Sequence, residues 1–172
     1  MAGNQRSAGS DYEIALAARD DIAGILDLQE ANLRENGGTL SVRFPRDWFE
    51  AALADLPIVV ARKGGRVVGY LVSSSKVAQS HVPIIKAMLD AYPGEADAYL
   101  YGPICVAGTE RGQNLPAALM ADLGARLPGR EGITFIRRDN TASLRAHAKI
   151  GMREVAEFVH DGSAVVVIAH RG

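Results

Sequence analysis

The sequence has one cysteine, Cys105, among 172 residues. No intramolecular disulfide can form, and a cysteine-rich zinc site is excluded, so no metal is expected. Neither sign of charge dominates: 19 basic and 20 acidic residues leave a formal net charge of −1. No Lys/Arg run and no C2H2 spacing occurs, which points away from nucleic acid and from an anionic membrane surface. Near the C-terminus the longest apolar stretch covers residues 164–169, far short of what spans a bilayer. The opening "MAGNQRSAGSD" lacks an apolar core, which argues against a signal peptide. Residues 1–11 read as a flexible polar tail, and residues 12–172 as one domain. With 48% apolar and 23% charged residues, the composition is that of an ordinary soluble, cytoplasmic protein.

What remains is a clear alternation of elements. Residues 12–18 read as a strand. Asp20 or Asp21 can cap the helix that follows, and Ile22, Ile25, Leu26, Gln29 and Leu33 put one face inward. "ENGG" at 35–38 stops it. A short helix is expected over residues 45–53, with Trp48, Phe49 and Leu53 buried. Strands 57–62 and 66–75 flank "KGG", a hairpin signal. An amphipathic helix at 81–92 carries Ile84, Ile85, Met88 and Leu89 on one stripe. Strand 97–107, helix 116–127, strand 133–138 and helix 140–150 follow, and "REVAEFVH" and "SAVVVIA" close the chain as a pair. The order β-α-α-β-β-α-β-α-β-α-β-β predicts an α/β fold. Its mixed, mostly antiparallel sheet of about seven strands carries helices on both faces and at least one parallel crossover. "SAVVVIA" is apolar on both faces, so it is central in a sheet or covered by a partner subunit in a homodimer.

Two stretches carry chemistry. "VAGTERGQNL" turns from a strand into a helix, where free N–H groups and the positive end of the helix dipole meet an anion. A strand-to-helix turn with glycines, Gly108 and Gly112, is the plainer reading. In "NTASLRAHAKIGM", Asn140 starts a helix, and Ser143 and His147 share a face at i, i+4.

Together these stretches resemble the GNAT acyltransferase superfamily over nearly the whole chain. That family reads V-x-P-x-x-R-G-x-G-x-G/A at the end of a strand, matched here by Val106, Arg111 and Gly112. Asn114 and Pro116 stand where the pattern has glycine, and glycine or alanine. A later helix reads N-x-x-A/S-x-x-x-Y-x-K-x-G-F/M, matched by Asn140, Ser143, Lys149, Gly151 and Met152, with His147 in the tyrosine's place. The resemblance implies transfer of an acetyl group from acetyl-CoA to a small-molecule or peptide amine by direct attack. Backbone of Ile104, Cys105 and Val106 would pair with the pantetheine arm. The amides of Arg111, Gly112, Gln113, Asn114, Leu115 and Ala117 would face the pyrophosphate. Asn140 would bond the pantetheine or the neighbouring strand, and His147 would meet the sulfur as proton donor. A non-catalytic acyl-CoA-binding module and an O-acyltransferase are the alternatives on the same fold.

Tyr70, Tyr99 and Tyr101 are candidates to line the acceptor pocket, against ordinary sheet packing. Residues 34–45, "RENGGTLSVRFP", fit a mobile substrate-lining loop or a plain surface connection. Cys105, in an apolar strand with no base beside it, is expected to be a buried small hydrophobe. Pro116 is expected to open its helix and to leave the turn one N–H short.

Overall fold

A computed structural model describes Gln5, Arg6 and residues 11–172, which form two compact units. Of the expected tail, residues 1–4 and 7–10 lie outside the described residues. Gln5–Arg6 form strand β1, antiparallel to β2, so the strands among the described residues number eight.

The first unit comprises Met1–Ser73 and Gly102–Arg126. Strands β2 (Tyr12–Leu16), β3 (Ile58–Lys63) and β4 (Arg66–Ser75) pair antiparallel in sequence order. Their side chains alternate between two faces. Ile58, Val60, Tyr70 and Val72 face helices α1 (Ile22–Ala31) and α2 (Arg46–Leu53). There they form a core with Ile22, Ile25, Leu28, Phe49, Ala52 and Cys105. On the opposite face Leu119 of α4 (Leu115–Arg126) packs over Gly69 and Ala61. Full burial of Ile22, Ile25 and Phe49 contributes about 1.5–3 kcal/mol for each side chain. The last five residues of β5 (Tyr99–Val106) also belong here, and beyond them Ala107 N–H bonds the Val68 carbonyl at 2.8 Å.

The second unit comprises Ser74–Tyr101 and Leu127–Gly172. The start of β5 pairs parallel with β6 (Glu131–Arg137), through Tyr99↔Gly132 and Leu100↔Ile133. β6 is antiparallel to β8 (Ser163–Arg171), which is antiparallel to β7 (Arg153–His160). β8 is therefore flanked on both sides, which accounts for "SAVVVIA" without a partner subunit. Helix α3 (Pro83–Ala91) sets Ile85 and Met88 against Leu100, Ile133 and Val167. Helix α5 (Thr141–Lys149) follows β6.

The fold is the mixed, mostly antiparallel α/β class expected. Boundaries moved by a residue or two where tertiary contacts decided them. β2 stops at Leu16, and a 3-10 turn, Arg19–Asp21, precedes α1. Leu33 falls outside α1 yet remains buried. α4 starts at Leu115 rather than at Pro116, because Ala118 N–H bonds the Asn114 carbonyl at 3.2 Å. Among the described residues, no helix is long and apolar enough to cross a membrane.

Candidate functional site

In the first unit, β5 delivers the chain to the turn of residues 107–115. A 3-10 turn, Gly108–Glu110, is closed by Glu110 N–H on the Ala107 carbonyl at 2.9 Å. Gly112 then takes φ of 80° and Asn114 φ of 60°, both left-handed. Glycine meets that demand freely, and asparagine is among the few other residues that accept it. A Cβ on Gly112 would meet nothing within 4 Å, so its requirement is conformational rather than steric. Leu115, 2% exposed, plugs into the core and fixes the start of α4. Burial of Leu115 overrides the bias against helical angles before proline.

Among the described residues of this unit, the amides of Arg111, Gly112, Gln113, Asn114, Leu115 and Ala117 have no backbone acceptor. Pro116 is the second residue of α4, where its N–H would have had no intrahelical partner. The missing glycine pattern has thus left a left-handed turn that opens onto free helix-start amides, which suits an anion.

The rest of the strand is less reactive. Ile104 and Val106 are partly exposed, and Cys105 is buried. Its thiol points to the Leu28 carbonyl at 3.9 Å, and burial pushes its pKa up to about 12. A thiol so held is no nucleophile at neutral pH. Tyr70 is wholly buried edge-on to Phe49, with ring centroids 6.0 Å apart, and lies beside Cys105. It packs as a core residue and is not among the residues that line the pocket at the turn.

A pocket of about 590 Å³ opens against the turn in this unit. Asp20, Asp27 and Asn32 wall one side, Arg66 another, and Gly108, Thr109 and Arg111 close it. Asp27, the α1 residue on this wall, was not among the sequence candidates. Helical spacing marked α1 as a core helix, and its outer face carried no motif. The neighbouring loop 34–45 is tied down rather than loose. The buried Gln29 amide both donates to and accepts from the Phe44 backbone at 2.9 Å. Arg43 is paired with Glu30 at 2.8 Å and with Glu35.

In the second unit, α5 and β5 bring Ser143, His147 and Tyr101 together. The Asn140 side chain caps α5 by accepting from Ser143 N–H at 3.2 Å. His147 Nδ1 lies 2.8 Å from the Ser143 carbonyl oxygen and 3.3 Å from the Ser143 hydroxyl. A carbonyl can only accept, so Nδ1 carries the proton and Nε2 holds a lone pair in the neutral ring. Burial lowers the His147 pKa, against the bond to Ser143, which raises it. Tyr101 is 4% exposed and meets the His147 ring edge-on, centroids 5.8 Å apart. Its buried hydroxyl has no hydrogen-bond partner among the described residues. Tyr99 is packed elsewhere. The Arg130 guanidinium sits 5.9 Å from its ring centroid, and its ring lies so close to Gly132 that a Cβ there would clash at 2.7 Å.

No family model and no curated protein sequence matches this chain. Solved structures do. A GNAT-family acetyltransferase from Streptococcus agalactiae superposes with a TM-score of 0.71 at 15% identity, covering 94% of this chain and 95% of that one. The chain has the GNAT fold. Ard1 from Thermoplasma volcanium superposes at TM-score 0.69 and 16% identity, over 94% of this chain and 98% of its own. So does yncA from Salmonella typhimurium, solved with its cofactor acetyl-CoA, at TM-score 0.65 and 19% identity over 94% of each chain.

Proposed function

We propose that this protein is an acetyl-CoA-dependent N-acetyltransferase acting on a primary amine. The observation that carries the proposal is the turn at residues 111–115. Despite Asn114 and Pro116, it adopts left-handed angles at Gly112 and Asn114 and leaves a run of amides free before α4. That donor set fits a pyrophosphate. Arg111, exposed and without an ion-pair partner among the described residues, adds a cation.

Bound acetyl-CoA supplies an activated thioester carbonyl. The amides of Arg111, Gly112, Gln113, Asn114, Leu115 and Ala117 would hold its phosphates, and the backbone of Ile104, Cys105 and Val106 would align its arm. His147 serves proton transfer. Its Nδ1–H is held by the Ser143 carbonyl, so Nε2 is the working nitrogen. With its pKa lowered by burial, the ring is neutral at physiological pH, and Nε2 accepts a proton more readily than it gives one. His147 is therefore the base that takes a proton from the amine side. Tyr101, against the ring, holds its orientation.

The test is calorimetric titration with acetyl-CoA, followed by turnover on an amine panel. Saturable binding with thioester consumption on at least one amine is expected. Binding without turnover on any amine would leave an acyl-CoA-binding module instead. A protein that bound no acyl-CoA would overturn the reading.

A further inference from the structure

The acidic residue at the end of the 3-10 turn, Glu110, precedes Arg111 and the free amides. A carboxylate beside an anion site is unfavourable unless something holds and balances it. Here three groups do so. Tyr12, at the start of β2, donates its hydroxyl to Glu110 Oε2. The Lys63 ammonium, at the end of β3, lies 3.4 Å from the same oxygen. Thr109 adds a side-chain hydrogen bond. Tyr12 and Lys63 are direct cross-strand partners, and the ammonium sits 5.5 Å from the Tyr12 ring centroid. The two therefore reach Glu110 as one preformed unit where the start of β2 meets the end of β3. Only 11% of the Glu110 side chain is exposed.

The protonation states suit a fixed clamp. The Tyr12 hydrogen bond, with Lys63, holds Glu110 below its ordinary range, although burial opposes this. The same bond pushes Tyr12 up to about 12, so it remains a donor at any physiological pH. A turn that lacks the usual glycines has fewer ways to recover its geometry if its entry moves. The clamp fixes that entry one residue before the first free amide.

We propose that Glu110, acting through Tyr12 and Lys63, is a positioning residue that sets the turn at 111–115 for the pyrophosphate. The inference rests on reading that turn as a phosphate site. Glu110 touches no reacting atom. It orders the donors that follow it, and Lys63 cancels its charge.

The decisive experiment compares wild type, Glu110→Ala, Glu110→Gln and Tyr12→Phe by calorimetry with CoA and with pantetheine, which lacks the pyrophosphate. Glu110→Ala should weaken CoA by about tenfold or more, roughly one charge-assisted hydrogen bond's worth. Glu110→Gln keeps an acceptor for Tyr12 and should recover part of that loss. Pantetheine binding should stay the same in every variant. Equal losses for CoA and pantetheine, or no loss for CoA, would overturn the clamp. Backbone 15N relaxation gives a ligand-free reading: residues 111–115 should lose order in Glu110→Ala while the rest of the chain does not. If wild type bound no CoA, the proposed function would fall, and the relaxation comparison would still decide whether Glu110 orders the turn.

Discussion

His147 donates its Nδ1–H to the carbonyl oxygen of Ser143 at 2.8 Å, one turn earlier on the same helix. That bond fixes the tautomer and leaves Nε2 as the free nitrogen. Where the sequence resemblance implies a proton donor at this position, the geometry supplies an acceptor.

The pH dependence follows from that. Burial lowers the His147 pKa, so a base role predicts kcat/KM that falls on acidification below neutrality and is flat just above it. A donor role would give the opposite limb. His147→Gln should abolish the acidic limb and lower kcat by about 100-fold or more. Stability moves in the same direction. The folded pKa lies below the ordinary 6.5, so the unfolded chain binds the proton first. His170, also lowered by burial, adds to this effect. Thermal scans from pH 8 to pH 5 should show stability lost below about 6.5.

Asn114 and Pro116 can be separated. Asn114→Gly preserves the left-handed backbone and should leave CoA affinity and melting temperature nearly unchanged. Asn114→Val places a β-branched residue at φ of 60° and should cost about 1–2 kcal/mol of stability and weaken CoA. Pro116→Ala restores one N–H at the proposed phosphate site and should tighten CoA by about tenfold. Isothermal titration reads all three.

Asp21 and Arg62 form the most enclosed ion pair that links α1 to the sheet in the first unit, at 2.6 Å with Ala18 N–H as a further donor at 2.7 Å. Burial pushes the Asp21 pKa up, but the Arg62 guanidinium and the Ala18 amide outweigh it, and the pKa ends below 3.8. Its contribution is complete above the unfolded value and lost as pH falls through the folded one. Asp21→Asn should lower stability at pH 7 and flatten the acid limb of a denaturation profile below pH 4. Tracking unfolding by circular dichroism checks both.

Among the described residues, the buried hydroxyls of Tyr70 and Tyr101 lack a partner at normal hydrogen-bond geometry, the Tyr70 hydroxyl having only the weak Cys105 sulfur beside it. Tyr70→Phe removes a polar group whose neighbour is only the weakly bonding Cys105 sulfur and should leave stability equal or higher, with activity intact. Tyr101→Phe should also keep stability, and its ring still supports His147. A fall in kcat for Tyr101→Phe alone would give that hydroxyl a part in the chemistry.

Periodicity and punctuation in the sequence determined the element order, the hairpin at "KGG", the Asn140 cap and the fold class. These are local properties, written within a few residues of where they act. The sequence also placed Ser143 and His147 on one helix face, because helical spacing needs no tertiary information. Where α4 begins was beyond its reach. Burial of Leu115 in the core decided that against a proline bias only one residue away. Which nitrogen of His147 is free, and that Tyr101 touches its ring, depended on packing. Glu110 looked like an ordinary polar residue in a turn. Its partner Tyr12 lies 98 residues away in the chain, and only strand pairing brings Tyr12 and Lys63 side by side to meet it. Contacts of that range carry no local signature, since they depend on register and twist rather than on neighbours in sequence.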